Sequence, residues 1–588
     1  MTYLRDRAVP AVLLLATAAL YLWNITVNGM GNPFYAAAAQ AGSVNWEALL
    51  FGSLDPHNFI TVDKPPVSQW VMGLSGQLFG FSSASMLVPE ALMAVGSVAL
   101  VYGSVRRISG QWAGVLAGAA LALTPVAALM FRFNNPDAAM VLLMTAAAYC
   151  AVRALHDHGA RWMALAGVAL GLAFLAKMLE GLMSVPAIGL VYLIAAPPVL
   201  RTRLLHLLGA LVAFLVSSGW YVLLTLWWPA SSRPYLAGSS DNNFMNLVLG
   251  YNGFARVLGR RDTSSFASIG GGSWGGSSHS VSRLVTGEYG FEIGWLLPGA
   301  LLAFLLVLVE RGRAPRTDAV RAGAVLFGGW LLVDGLVLSL MHGTVHAYYS
   351  LSLAPAVAAM FAIGVHRMWV RRDTVPGAVG LAVLLAGTAG WGWWLLHRNA
   401  HWLPVLRWTI VVLAVVGLVV WIRSPVVALV LGVVAALLGP AAYAVATVAN
   451  AHQGGGPMVG PHRSGKDIGM WGRDADTPAL HQLLSATSTP WSAAVERSNS
   501  AAALELSTRT AVMAIGGFSG ADPAPTLAQF EEDVARHQVA YYLVEKASGH
   551  GPSLNTRNHG DITQWVAAHF PATVIGSTTV YDLTAPSR

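Results

Sequence analysis

The sequence predicts a polytopic α-helical membrane protein followed by a small soluble α/β domain. Three observations predict it. Of its 588 residues 55% are hydrophobic and only 11% are charged, a balance too poor in charge for a soluble globular chain. Apolar runs of roughly 17–25 residues, the length that crosses a bilayer, recur from residue 10 to residue 449. Beyond residue 449 the character changes abruptly: Gly454-Gly455-Gly456-Pro457 reads as a linker, and charged and polar residues return with helix-like and strand-like spacing in alternation.

Spans are expected at about 9–28, 86–104, 112–131, 137–154, 162–178, 181–196, 205–228, 291–309, 322–341, 348–366, 376–396, 404–422 and 425–449, about thirteen in all. Arginines cluster at Arg5/Arg7, Arg106/Arg107, Arg153/Arg161, Arg201/Arg203, Arg311/Arg313/Arg316/Arg321, Arg367/Arg371/Arg372 and Arg423. Placing these clusters in the cytoplasm gives a consistent alternation, because basic loops stay inside. The expectation is a plasma-membrane protein with a cytoplasmic amino terminus, a transmembrane domain of residues 1–449 and an extracytoplasmic α/β domain of residues 450–588. The net charge of +7 is then a matter of topology, and no nucleic-acid partner is expected. Ala16-Thr17-Ala18 resembles a signal-peptide cleavage site, but the apolar run continues through Leu20 to Trp23 at the length of a full span. The single Cys150 lies within a span and cannot form an intrachain disulfide.

The first external loop, residues 29–68, carries the densest chemistry. It opens with Asn32-Pro33-Phe34-Tyr35, and Tyr35 to Leu50 has the apolar spacing of a helix lying along the interface; residues 69–80 form a second such helix. Between them runs Leu54 to Trp70, LDPHNFITVDKPPVSQW, which holds two carboxylates and Lys64, one of only four lysines in the chain. Pro65 and Pro66 cannot donate backbone hydrogen bonds and bias Lys64 towards an extended backbone, so the lysine ends a loop while a helix starts behind it. This presents an ammonium and Asp63 at the membrane surface, where a lipid phosphate lies. Solvated loop charges are the plain alternative for a single motif.

Other polar clusters return to the same side. Phe131-Arg132-Phe133-Asn134-Asn135-Pro136-Asp137 ends one span and opens the next, where Asp137 suits a helix amino terminus. Lys177 and Glu180 join two short spans, with ion pairing or snorkelling as their plain reading. Asp334 lies inside a span and must face the bundle interior or a cavity. The loop 229–290 has the length of a lid or binding loop, and its glycine-rich stretch Ile269 to Ser280 reads as flexible chain rather than a phosphate cradle. In Met341 to Tyr349, His342 and His346 stand four apart and would share a helix face. No carboxylate or cysteine accompanies them, so hydrogen bonding to phosphate or sugar hydroxyls is expected in place of a metal site. In the tail, Thr477 to Ala486 and Thr526 to His537 have helical spacing, Ala511 to Ile515, Val539 to Val544 and Thr573 to Val580 are strand-like, and Gly516-Gly517-Phe518-Ser519-Gly520 reads as a tight turn.

With these clusters on one face, the chain resembles the GT-C membrane glycosyltransferases, in the branch of the protein O-mannosyltransferases and the aminoarabinose transferases of lipid A. The best motif is Val62-Asp63-Lys64-Pro65-Pro66, similar to the family's acidic-Lys-Pro-Pro; Asn135-Pro136-Asp137 and the paired Tyr348 and Tyr349 agree. Asn32 to Tyr35, Asp55 to Pro66 and Gly516 to Gly520 further resemble bacterial mannosyltransferase-like proteins with an extracytoplasmic α/β tail. The resemblance implies transfer of a sugar from a polyprenyl-phosphate carrier to a glycan, lipid or protein acceptor of the cell envelope on the outer face, with no cofactor and no metal. It also implies substrate contacts at Asn32, Tyr35, His342, Tyr348 and Tyr349. The chain departs from the better-known members at Gly31-Asn32, where they carry an acidic residue, so their usual base has no direct counterpart.

The chemistry assigns expected roles. A leaving phosphate develops negative charge and needs a cation, for which Lys64 is the candidate, with Arg132 and His346 assisting. Asp55, Asp63 or Asp137 would take the acceptor's proton in an inverting displacement. A transporter or flippase of a lipid-linked glycan would need similar cations, but the repeated halves such proteins commonly show are not seen. A membrane-anchored sensor would leave the carboxylates and lysine beside the bilayer unexplained.

Overall fold

The computed structural model describes residues 2–254, 279–342, 345–461, 477–545 and 559–585. The glycine-rich stretch expected at 269–280 lies outside them, apart from His279 and Ser280. Nine helices among the described residues are long and apolar enough to cross a membrane: Ala8–Asn28, Ser83–Ser109, Asp137–Ala154, Gly159–Leu182, Leu200–Trp227, Ala319–Leu340, Ala347–Val370, Val375–His397 and Pro425–Ala449. Each coincides with an expected span. The other four expected spans fall short of that length. Gln111–Ala122, Val185–Ala195 and Pro404–Val420 are shorter apolar helices, and the helix expected at 291–309 begins only at Leu297, with Pro298 in its first turn. The span expected at 112–131 breaks at Leu123 and Thr124, and the chain restarts as Pro125–Met130, because proline tolerates a helix's first turn but not its interior.

Helix Ala354–Val370 runs through the middle of the bundle. Its alanines and Gly364 are buried, and a Cβ on Gly364 would lie 2.3 Å from that of Ala303. Small residues let the neighbouring helix approach this closely.

The first loop folds into helices Pro33–Val44, Trp46–Phe51 and Val67–Phe79. The single interfacial helix expected over 35–50 is divided at Asn45, whose side chain accepts the N–H groups of Glu47 at 2.8 Å and Ala48 at 3.1 Å and so caps a new start. Nor does the first piece lie on a lipid surface: Phe34 to Ala39 are buried in an apolar cluster shared with the carboxyl-terminal domain. An amphipathic pattern marks a face to be covered, and here protein covers it.

The carboxyl-terminal domain is a five-stranded sheet in the order β2-β1-β3-β5-β4, formed by β1 (Trp491–Glu496), β2 (Val512–Ile515), β3 (Val539–Glu545), β4 (Ala572–Ile575) and β5 (Thr578–Asp582). β1 pairs parallel with β2 and β3, while β5 pairs antiparallel with β3 and β4. The strand expected at 573–580 is a hairpin that turns at Gly576, where φ is +61°. β1 and the helix Ser498–Thr508 that follows it were not expected. WSAAVE carries little β-branched signal, and a central strand buried on both faces lacks alternation.

The domain is seated on the first loop. The indole N–H of Trp491 donates to Asp55 at 3.1 Å, and the Trp491 ring meets His57 and Phe59 edge-on at 5.7 and 6.2 Å. Leu54, Ile60 and Val62 of the loop share their apolar cluster with Leu480, Val495, Leu504 and Leu543.

Candidate active site

Four segments converge around Tyr35: its own helix, residues 60–64, the start of Asp137–Ala154 and residues 346–349. Asp63 and Asp137 and the phenols of Tyr348 and Tyr349 all lie close enough to act on the Tyr35 hydroxyl, and burial followed by the charge of Asp63 raises its pKa well above the ordinary tyrosine value. Lys64 Nζ lies 2.8 Å from Asp63 Oδ2 and 3.3 Å from the Asp63 carbonyl, and the Tyr35 hydroxyl makes a long hydrogen bond of 3.4 Å to Asp63 Oδ1. Lys64 is only 7% exposed, so its ammonium does not point into open water. The side-chain amide of Asn252 donates to the Asp63 carbonyl at 3.1 Å, which pins this corner from the long loop.

The local fold explains why these residues meet. Thr61 donates its N–H to the Tyr235 carbonyl at 2.9 Å, and Ile60 and Tyr235 form an isolated parallel bridge, so residues 60–64 are held extended up to the two prolines. Helix Val67–Phe79 then starts directly after Pro66. Asn32 caps its own helix through Phe34 N–H at 3.2 Å and is clasped by Asn134, which accepts from its N–H and donates to its carbonyl, both at 2.8 Å. Gly31 has φ +59°, and a Cβ there would meet Asn134 Oδ1 at 2.3 Å, so only glycine allows the clasp.

Beside this corner lies a second buried ionic group. Lys177 Nζ is 2.8 Å from both Asp137 Oδ1 and Glu180 Oε1 and 3.9 Å from the centre of the Tyr349 ring. The ion pair expected of Lys177 and Glu180 is formed, and the same ammonium also holds Asp137 and lies against the Tyr349 ring. Asp334 is buried inside its helix as expected, with the Trp330 indole 3.3 Å from Oδ2.

Several candidates sit differently from the sequence expectation. Arg132 is a structural tie: Nε donates to the Tyr21 carbonyl at 3.0 Å, Nη1 to Val448 at 2.8 Å, and Nη2 to Trp23 at 2.6 Å and Asn24 at 2.9 Å. It joins the end of the first span to the end of the last, and its donors are spent on carbonyls rather than presented to a phosphate. Asp55 accepts the N–H groups of His57 at 2.9 Å and Phe59 at 3.0 Å and the Trp491 indole; burial raises its pKa against the pull of those three hydrogen bonds. Asp55 thus closes its own turn and anchors the carboxyl-terminal domain. The two histidines do not share a helix face, because the 3-10 helix Ala347–Leu353 begins only after His346. His346 stacks on Tyr348 at 4.9 Å and meets Tyr349 edge-on at 5.4 Å, whereas His342 faces His279 at 4.1 Å. Tyr348 reaches the Gly455 carbonyl at 3.4 Å.

Comparisons with known proteins match both the helical part and the tail. Residues 63–222 match the family model described as "Dolichyl-phosphate-mannose-protein mannosyltransferase"; the match begins at Asp63 and spans Lys64, Asp137 and Lys177. Residues 480–569 match the model described as "Putative mannosyltransferase YkcB-like, C-terminal". The chain is thus similar to proteins described as mannosyltransferases over two separate stretches, one in its helical part and one in its tail. Two Bacillus subtilis relatives, "Putative mannosyltransferase YkcB" and "Putative mannosyltransferase YycA", are 28% and 27% identical over 94% of this chain and 90% and 92% of theirs. Among solved structures, ArnT from Cupriavidus metallidurans bound to undecaprenyl phosphate superimposes with a TM-score of 0.54 at 18% identity, covering 99% of this chain and 98% of ArnT. The oligosaccharyltransferase AglB from Archaeoglobus fulgidus, in complex with an inhibitory peptide and a dolichol-phosphate, gives 0.50 at 14% identity over 98% of this chain and 74% of AglB. These two show that the GT-C fold spans both the helical and the sheet-bearing parts.

Proposed function

We propose that this membrane glycosyltransferase moves a sugar from a polyprenyl-phosphate carrier to a hydroxyl acceptor on the extracytoplasmic face, inverting the anomeric centre. The observation that carries the reading is the buried Lys64–Asp63 pair beneath Tyr35, at the end of an extended segment facing the helical bundle. A lysine in that setting meets the charge that develops on a departing phosphate, and it does so in a water-poor site where such a contact is strongest. Asp63 and Tyr35 hold the ammonium in place before the donor arrives. Support comes from the ligands of two proteins of similar fold, undecaprenyl phosphate in ArnT and dolichol-phosphate in AglB.

The stacked His346 and Tyr348 and the cation-backed Tyr349 form an aromatic and hydroxyl-bearing wall of the kind that receives a sugar ring. Asp137, fixed by Lys177, adds a carboxylate behind Tyr35. His342, which pairs with His279 away from this wall, has no part in this reading, and neither has Arg132. The arginine clusters, taken as cytoplasmic, support an outer position for this wall.

The test is direct. Purified protein in lipid is incubated with undecaprenyl-phosphate hexoses and pentoses together with envelope lipids and glycans, and the released undecaprenyl phosphate and the anomeric configuration of the product are measured. Carrier release with inversion is expected for at least one donor. Release from none of them, or a product that retains configuration, would overturn the reading.

A further inference from the structure

The carboxyl-terminal domain contributes a carboxylate to the same corner. The loop after β2 returns on itself through Gly516, Gly517 and Gly520, whose φ values are +73°, +65° and +77°. Asp522 N–H closes it onto the Gly516 carbonyl at 3.1 Å. A Cβ on Gly517 would sit 2.0 Å from Asp522 Oδ2, so the glycine makes room for that carboxylate. From the loop, Phe518 reaches Phe34 at 5.0 Å, one residue from Tyr35. Asp522 Oδ2 accepts the Gly238 N–H at 2.9 Å, and the neighbouring Ala237 N–H donates to Thr61 Oγ1 at 3.1 Å, two residues before Asp63. The Asp522 carboxylate lies within electrostatic reach of Asp63 and is 6% exposed.

Among the described residues the Gly238 N–H is the only hydrogen bond this carboxylate receives, and no cation pairs with it. That distinguishes it from the carboxylates expected from the sequence. Asp55 is filled by two N–H groups and an indole, Asp63 is held by Lys64 and Tyr35, and Asp137 is ion-paired with Lys177 through Oδ1, its buried Oδ2 having no partner among the described residues. A buried acid that is neither paired nor filled is costly to keep, and a costly group beside a reaction site is a candidate for the chemistry.

We propose that Asp522 is the base that receives the acceptor's proton, so that the active site is completed only by the carboxyl-terminal domain. The proposal rests on the transferase reading above and deepens it. As the acceptor oxygen bonds to the anomeric carbon, the bond from that carbon to the phosphate oxygen breaks. The electron pair leaves on the phosphate facing Lys64, and the acceptor's proton passes to Asp522 and then to water. Burial, reinforced by the charge of Asp63 and opposed by the Gly238 N–H, raises the Asp522 carboxyl to about 7, which suits a base working near neutrality. The titratable groups that face it are Asp63 from the first loop, Tyr235 from the segment beside Gly238, and His559, whose ring Nε2 is 2.9 Å from the Asp522 carbonyl.

The experiment compares wild type, Asp522→Asn and Gly517→Ala, each full-length in membrane vesicles. Carrier release from an undecaprenyl-phosphate sugar that wild type uses is followed from pH 5.5 to 8.5, beside donor affinity and thermal stability. Asparagine can still accept the Gly238 N–H but cannot take a proton. Asp522→Asn is expected to bind donor as wild type does, to lose turnover by about 10²–10⁴-fold, the usual range for general base catalysis, and to lose the rise in rate centred near pH 7. Gly517→Ala, which displaces the carboxylate, is expected to lose turnover without losing donor. The role of Asp522 is overturned if Asp522→Asn turns over like wild type, or if it slows while keeping the same pH limb, which would mark a structural part only. An inactive wild type would instead overturn the transferase reading and the proposal with it.

Discussion

Replacing Arg132 by Met separates a tie from a ligand. The guanidinium is buried and donates four hydrogen bonds, to the carbonyls of Tyr21, Trp23, Asn24 and Val448. Methionine keeps much of the side chain's apolar volume but leaves those carbonyls without their charged donor. Hydrogen bonds to charged groups contribute about 1.5–3 kcal/mol each. Relaxation and relief from burying the charge cut the sum, so a loss on the order of 4 kcal/mol is expected, comparable to breaking a buried ionic contact. The assay is thermal unfolding of the purified protein in detergent, run beside donor affinity on the folded fraction. A large drop in melting temperature is expected, with donor affinity held within about threefold, less than about 1 kcal/mol. A variant that melts like wild type while its donor affinity falls tenfold or more would refute the reasoning and return Arg132 to the phosphate.

Lys177→Ala leaves Asp137 and Glu180 facing each other without their shared cation, and unfolding should show a loss of about 3–5 kcal/mol; Lys177→Ala with Asp137→Asn should lose less than the two single changes added, and simple additivity would contradict the ionic cluster. Trp491→Phe keeps an aromatic ring against His57 and Phe59 but removes the N–H to Asp55, so the protein should lose about 1 kcal/mol, a change absent if the indole bond does not seat the domain. Asp522 also predicts a pH slope. Its folded pKa of about 7 stands above the ordinary value of 3.8, so the folded state holds the proton that the unfolded state releases. Its contribution to stability is therefore present at low pH and falls as pH rises from about 4 through about 7, at up to about 1.4 kcal/mol per pH unit. Melting temperatures of wild type and Asp522→Asn measured at pH 5 and pH 8 should show a steeper decline in wild type, and parallel curves would contradict the burial of that carboxyl.

Much of the helical scaffold was legible because a bilayer imposes one strong rule, about twenty apolar residues per crossing, and the nine long helices obey it. Where proline breaks a run, as at Pro125 and Pro298, length alone misleads. Lys64 and Asp63 were legible as a pair because they are adjacent and two prolines fix the end of their loop, whereas Tyr35 entered only through the family resemblance and its bond to Asp63 depends on how two helices fold back. Asp522 was not legible, since it lies 458 positions beyond Lys64 and nothing local distinguishes the acid at the end of GGFSGAD from any turn aspartate. Arg132 and Asp55 misled for a related reason. A charged residue in a polar loop looks the same whether it meets a ligand or satisfies backbone groups, and only the partners decide. The glycines of 516–520 were a fair signal for a tight turn, yet what the turn delivers depends on a docking surface formed by another part of the chain.

The central claim, that the Lys64 ammonium receives the leaving phosphate, is tested most directly by single-turnover release of undecaprenyl phosphate from a sugar donor by wild type and Lys64→Met. Lys64→Met is expected to fold, to keep Asp63 and Tyr35, and to release carrier more than about a hundredfold more slowly, the scale seen when one charge-stabilising donor is removed. Release by Lys64→Met at the wild-type rate would contradict it.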